Sequence, residues 1–308
     1  MILSSNITFL IAGRVHDQPL YMCINSILKH FPDSPIVLST WSIDYESLSP
    51  NIKNLLSSKE IKLYTQPDPG STVRDLSSNK PLNYIRQLSS TNIALSSVQT
   101  MYTFRLRGDI YFTGNNILKD LCIEKSLAIP KICVTNITSV NPVRFRSKSM
   151  LFHLCDWIHF GLTADINYFF TQAMISEKQL CSFPRNFPLN RDINYADLSK
   201  LSPEQLFLLC SPFLKSLTTT LDQYNYDQAL VKLSLSVIDQ HFSIYSPKRL
   251  QFKSSKYNLS SHFFRYYMYL DSENSINPVL KILILFALYV RHIFARFYFC
   301  IIRSYYIH

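Results

Sequence analysis

The chain has 308 residues, 47% of them hydrophobic and 14% aromatic, and a formal net charge of +10. This composition supports a sizeable core and excludes a disordered chain; the length suits one large α/β domain or one domain with appendages. The positive charge comes without an RNA- or DNA-binding motif or long basic clusters, so it points to a phosphate-bearing small substrate or an anionic membrane surface and not to nucleic acid.

Met1 to Leu10 has neither a basic start nor a cleavage site and reads as the first strand. Ile7 to Ile11 is an apolar run that ends at Ala12-Gly13-Arg14, a strand followed by a turn. Helical spacing of Leu20, Cys23, Ile24, Ile27 and Leu28 predicts a helix from Pro19 to His30. Pro35 to Ser39 is a second strand that stops at Thr40-Trp41, and Ile61 to Thr65 is a third, followed by Gln66-Pro67-Asp68-Pro69-Gly70. A helix is expected from Pro81 to Val98, a β-type run from Tyr102 to Phe112, and another strand from Lys131 to Thr135. Beyond Pro142, helices are expected over Thr163–Met174 and residues 222–240, and a strand over His241–Tyr245. Ser202-Pro203-Glu204-Gln205 opens a further helix with a capping box. Strands alternating with helices over the first 135 residues predict βα units and a mostly parallel sheet, with a site at the carboxyl ends of the strands. Trp41, Asp68 and Asp109 fall at such ends.

The run Tyr102 to Phe112 carries Arg105, Arg107, Gly108 and Asp109. In one continuous strand the three charges share a face. Unpaired charges there are costly to bury. Either they form a salt-bridge network or that face lines a cleft for an anionic ligand, and Gly108 marks close approach of a backbone or a ligand.

From Asn277 to His308 there is no acidic residue, while Lys281, Arg291, Arg296 and Arg303 are basic. On a helix these four and His292 fall within an arc of about 140°. The pattern is a basic amphipathic helix over residues 276–308 that lies on an anionic membrane surface, with packing on the domain or on a second subunit as the alternative. Seven cysteines without metal-ligand spacing read as reduced, mostly buried thiols of a cytoplasmic protein.

Four segments, in order, resemble the WavE lipopolysaccharide synthesis family of bacterial glycosyltransferase-like proteins. They are Phe9-Leu10-Ile11-Ala12-Gly13-Arg14; His30-Phe31-Pro32 with Ile36-Val37-Leu38-Ser39-Thr40-Trp41; Arg105-Leu106-Arg107-Gly108-Asp109; and Asp156-Trp157-Ile158-His159-Phe160-Gly161 with Ser202-Pro203-Glu204-Gln205. The resemblance spans Ile7 to Tyr245, and Ala12 departs from it, the family more often having a polar residue there. It implies a GT-A-like, Rossmann-like α/β fold. It further implies transfer of a sugar from a nucleotide-sugar donor to a lipid-linked or core oligosaccharide of lipopolysaccharide or another surface glycan. The expected division is residues 1–135 for the donor half and 136–275 for the acceptor and catalytic half of one domain, with 276–308 as the membrane-associating helix. The expected location is peripheral, at the cytoplasmic face of the bacterial inner membrane. A non-catalytic scaffold that keeps the fold is the alternative.

Such a transferase must neutralise the leaving diphosphate and deprotonate the acceptor hydroxyl. GT-A enzymes usually use Asp-x-Asp and Mn²⁺ or Mg²⁺ for the first task. The matching place offers Asp109 alone as a metal ligand, with Arg105 and Arg107 as phosphate or carboxylate partners. A metal-independent site built on arginine is the rival. Gly13, Arg14, Trp41, Asp68, Arg74, Asn83 and Arg86 are candidate donor-binding residues. Asp156, beside the apolar wall of Trp157 and Phe160, is the first candidate base, and Glu204 the second; capping explains Glu204 as well.

Overall fold

The computed structural model describes residues 3–70, 83–118, 131–137, 152–180, 203–209, 211–217 and 228–257. Arg74, the Ser202 cap and the helix expected over 276–308 lie outside the described residues.

Among the described residues, seven strands form one sheet in the order β3-β2-β1-β4-β7-β6-β8. Strand β1 (Ile7–Ala12) lies inside the sheet with every residue buried, which is why it reads as a nearly unbroken apolar run. It pairs in parallel with β2 (Ile36–Trp41) and β4 (Tyr102–Leu106), in the register Phe9 to Ile36 and Phe9 to Phe104. Strand β3 (Lys62–Gln66) extends the parallel set beyond β2. On the other side β7 (Ile158–Leu162) runs antiparallel to β4 and to β6 (Ile132–Thr135), and β8 (Phe242–Tyr245) is parallel to β6. The sheet is therefore mostly parallel, as expected, with one reversed strand.

Side-chain alternation sends the strands into two cores. Phe9, Ile11, Leu38 and Phe104 meet Leu20, Ile24 and Ile27 of α1 (Asp17–His30) on one face. Leu10, Val37 and Val134 meet Leu88 of α4 (Tyr84–Leu95), Phe169 and Phe170 of α5 (Thr163–Leu180) and Ile238 of α7 (Gln228–His241) on the other. Two short helices, α2 (Ser42–Glu46) and α3 (Pro50–Ser58), fill the stretch after β2, where no element was expected. The short helix α6 (Pro203–Leu209) supplies Phe207, whose ring meets that of Tyr84 edge-on at 5.1 Å. The described cysteines, Cys23, Cys133 and Cys155, are buried. No helix among the described residues is long and apolar enough to cross a membrane.

The run from Tyr102 to Phe112 is not one strand. It breaks after Leu106; Arg107–Asp109 form a turn, and β5 (Ile110–Phe112) leaves the sheet to pair with β9 (Phe252–Ser254). Ile110 and Phe112 are buried there, Phe112 against the Phe9, Phe31 and Phe104 rings. Burial is worth about 1.5–3 kcal/mol for each side chain, more than the roughly 1 kcal/mol net of each ladder hydrogen bond that a continued strand would add. The break also resets the alternation, so Arg105 does not share a face with Arg107 and Asp109.

Candidate functional site

α1 follows β1 on one face and α4 precedes β4 on the other, so the chain reverses its direction of travel across the sheet between β1 and β4. Ligand crevices in open α/β sheets form outside the carboxyl ends at such a point. A cavity of about 810 Å³ opens there.

Each parallel strand delivers residues to it. After β1 comes Gly13 at φ 106°, a conformation that any side chain strains, with open space where a Cβ would stand. Its N–H donates to Ser39 O at 3.0 Å, tying the turn to β2. Arg14 follows, largely exposed, with Nε 3.5 Å from Asp44 Oδ1. Trp41 ends β2 and lines the cavity, although only 4% of it is exposed. Asp68 follows β3, and Asn83 and Arg86 come from the start of α4. Gly108 packs its Cα side against Val15 and the Arg14 carbonyl, so the close approach it permits is that of the first loop.

Two bidentate forks stand on the wall. Arg107 donates from Nε to Asp109 Oδ1 and from Nη2 to Oδ2, both at 2.9 Å. Its guanidinium lies 4.8 Å from the Trp157 ring centre and 5.8 Å from that of Tyr257. Burial works against the Arg107 charge, but Asp109 and then Asp156 outweigh it and its pKa is raised. Arg86 donates to Asp68 Oδ1 at 2.8 Å and to Oδ2 at 2.7 Å, and to Asn83 Oδ1 at 3.3 Å. These hydrogen bonds hold the Asp68 carboxyl below its usual range against partial burial.

Arg105 stands behind the wall. It is fully buried under α4, where it donates to Thr91 Oγ1 at 3.3 Å, to Gln87 Oε1 at 2.9 Å and to the Asp156 carbonyl. Burial lowers its pKa to about 10, partly offset by Asp156. Gln87 does line the cavity and turns its Nε2 to Asp156 Oδ2 at 2.5 Å. Asp156 is 5% exposed and is not on the cavity wall; its Oδ1 is buried without a hydrogen-bond partner among the described residues. Glu204 lies on α6, also away from the wall.

Asp44, Gln87, Lys256 and Tyr257 are contributors not expected from the sequence. Asp44, on α2, is buried with Oδ2 unpartnered among the described residues. Gln87 sits one turn beyond Asn83, and that spacing was the signal available for it. Lys256 and Tyr257 follow β9 and reach the cavity through its pairing with β5, a long-range contact without a local signature.

The carboxylates of the two forks do not fit a divalent metal, and Asp44 Oδ2 is the carboxylate oxygen on the wall left open among the described residues. Both oxygens of Asp109 are engaged by Arg107 and both of Asp68 by Arg86. Among the described residues no three His, Cys, Asp or Glu side chains converge as a metal-binding group. Mg²⁺ and Mn²⁺ sites need free carboxylate oxygens.

A mostly parallel α/β sheet with a cavity at its carboxyl edge is a Rossmann-like arrangement. The chain belongs to the WavE lipopolysaccharide synthesis family, whose model matches residues 7–276. A search of curated proteins finds no match. Solved structures similar to it include residues 1–349 of S. aureus TarS in complex with UDP-GlcNAc, at 11% identity and TM-score 0.39, covering 91% of this chain and 70% of that one. The apo-form glycosyltransferase GlyE of Streptococcus pneumoniae TIGR4 is 11% identical with TM-score 0.38, covering 93% of this chain and 63% of GlyE. The 4-diphosphocytidyl-2C-methyl-D-erythritol synthase of Anaerococcus prevotii is 14% identical with TM-score 0.32, covering 58% and 78%. Likenesses this low do not bear on the activity of this chain.

Proposed function

We propose that the protein is a GT-A-like glycosyltransferase that moves a sugar from a nucleotide-sugar donor to a lipopolysaccharide core or other surface-glycan acceptor. The observation that carries this reading is the cavity itself, open at the carboxyl ends of β1 to β4 in a member of a lipopolysaccharide synthesis family. Its volume suits a nucleotide-sized ligand.

In this reading Gly13 lets the donor approach the backbone, Trp41 offers an aromatic surface to the base, and Arg86 and Arg107 face the diphosphate. Guanidiniums fixed before the reaction stabilise charge on a leaving diphosphate without reorganising. No base is assigned: among the described residues Asp156 meets the cavity through Gln87. The acceptor is lipid-borne, and residues 276–308 hold the protein at the cytoplasmic face of the inner membrane, which raises the effective acceptor concentration. The alternative is a non-catalytic member that binds a nucleotide-sugar as a scaffold, favoured by the arginine that stands beside each described carboxylate of the wall, Arg14 at Asp44, Arg86 at Asp68 and Arg107 at Asp109.

Calorimetry with UDP-, GDP-, CMP- and ADP-linked sugars tests donor binding, with one of them expected to bind. Analysis of surface glycan from a strain lacking the gene then tests transfer. Loss of one defined sugar is expected, whereas an intact glycan removes the transferase reading.

A further inference from the structure

The two forks determine what else can approach the cavity wall. A cation placed on Asp109 would have to displace two charge-assisted hydrogen bonds from Arg107, and Asp109 Oδ2 also accepts from Ser254 Oγ at 3.3 Å. The same holds for Asp68 and Arg86. These carboxylates are arranged to hold arginines.

The arginines, by contrast, have donors to spare. A guanidinium presents five N–H groups. Asp109 takes one from Nε and one from Nη2 of Arg107, which leaves the Nη1 edge without a partner among the described residues. Contact with Trp157 and Tyr257 fixes the plane of the group and shields it from water, which strengthens its pull on an anion. Lys256 joins it on the wall, carried there by the β5–β9 pair and by Ser255 N donating to Asp109 O at 2.9 Å. Its ammonium lies 5.3 Å from the Tyr257 ring centre and makes no ion pair among the described residues.

We propose that this cavity neutralises the diphosphate of its ligand with Arg107, Arg86 and Lys256 and needs no divalent cation to do so. The proposal rests on the nucleotide-sugar reading above and specifies how the donor is held. Asp109 is then a positioning residue: it aims Arg107 and does not touch the phosphates.

The test is calorimetric titration of the full chain with UDP, GDP, CDP and ADP, each in EDTA and in Mn²⁺. At least one is expected to bind, with Kd differing by less than about tenfold between the two conditions, because charge-assisted hydrogen bonds supply the attraction. Arg107→Ala is expected to weaken binding by about tenfold or more, and Arg107→Lys not to restore it, since an ammonium lacks the planar fork. Asp109→Asn is expected to weaken binding by a few-fold and leave it insensitive to EDTA. Tightening by Mn²⁺ of tenfold or more, abolished in Asp109→Asn, would overturn the metal-free proposal and leave the donor reading standing. Failure of all four nucleotides in both conditions would overturn the donor reading, and this proposal with it. The comparison on the unmodified protein decides the matter even where a variant fails to fold.

Discussion

Arg105 and Arg107 are two residues apart and belong to different regions of the molecule. Arg105 lies in a closed layer beneath α4, fully buried, and each donor nitrogen meets a neutral acceptor: a hydroxyl, an amide oxygen and a backbone carbonyl. Arg107 stands at the cavity wall, a quarter of its side chain exposed, and meets a carboxylate head-on. In the first region the positive charge is held in place by polar groups that engage all three guanidinium nitrogens. In the second, charge is neutralised by a partner that occupies only one edge of the guanidinium. One arrangement suits a fixed core and the other suits a ligand.

That contrast predicts the largest effect at Arg105. Arg105→Ala strands Gln87, Thr91 and the Asp156 carbonyl and removes a cation that acts on the buried Asp156 carboxylate. Breaking such a network costs about 3–5 kcal/mol, read as a fall in urea unfolding free energy. Arg107→Ala is expected to cost only about 1–2 kcal/mol, with its main effect on nucleotide affinity. Equal stability losses in the two variants would break the comparison.

The next effect depends on pH. His159 lies across from Arg105 in the β4–β7 register, among the Phe169, Phe170 and Phe207 rings. Burial, and then Arg105, push its pKa well below 6.5. Above that value the ring is neutral in both folded and unfolded states. Below it the unfolded chain takes up a proton that the folded chain refuses, so stability falls as pH drops through 6.5 toward the lower folded value. One proton limits this loss to about 1.4 kcal/mol per pH unit. Urea midpoints at pH 7 and pH 5 should diverge more in the unmodified protein than in His159→Leu. His30 and His241 also have lowered pKa values and supply the residual slope common to both.

Much of this geometry could be read in the sequence, and the exceptions share a cause. Strand β1 and the Ile36–Leu38 start of β2 are apolar, and β3 leads into the Pro67–Gly70 turn, so Gly13, Trp41 and Asp68 could be placed at a carboxyl edge from the sequence. The family resemblance, expected over Ile7–Tyr245, holds over residues 7–276. Arg105 was misplaced because alternation along a strand is informative only while the strand lasts, and β4 stops at Leu106. Lys256 and Tyr257 were missed because β9 has three residues and owes its place to a partner more than 130 residues earlier in the chain. Asp44 was missed because α2 is a five-residue helix without periodicity. Local pattern reports local structure, and these side chains reach the cavity through breaks and distant pairings.

The smallest effect sharpens the comparison within the wall itself. The Asp68–Arg86 fork has the same bidentate geometry as Asp109–Arg107, but about a third of the Asp68 side chain is exposed, against 12% of Asp109. Solvent screens the outer pair, so Asp68→Asn should change stability by about 1 kcal/mol or less. Because Asp68 has a lowered folded pKa, its contribution is complete above its usual 3.8 and is lost as pH falls through the folded value; the variant should lack that acid limb. Nucleotide affinity, in contrast, should fall a few-fold, because Arg86 loses the carboxylate that aims it. A variant nearly silent in urea unfolding and visible in calorimetry would mark Asp68, like Asp109, as a residue that holds a cation in place for a ligand. Loss of stability without loss of affinity would return both forks to ordinary surface ion pairs.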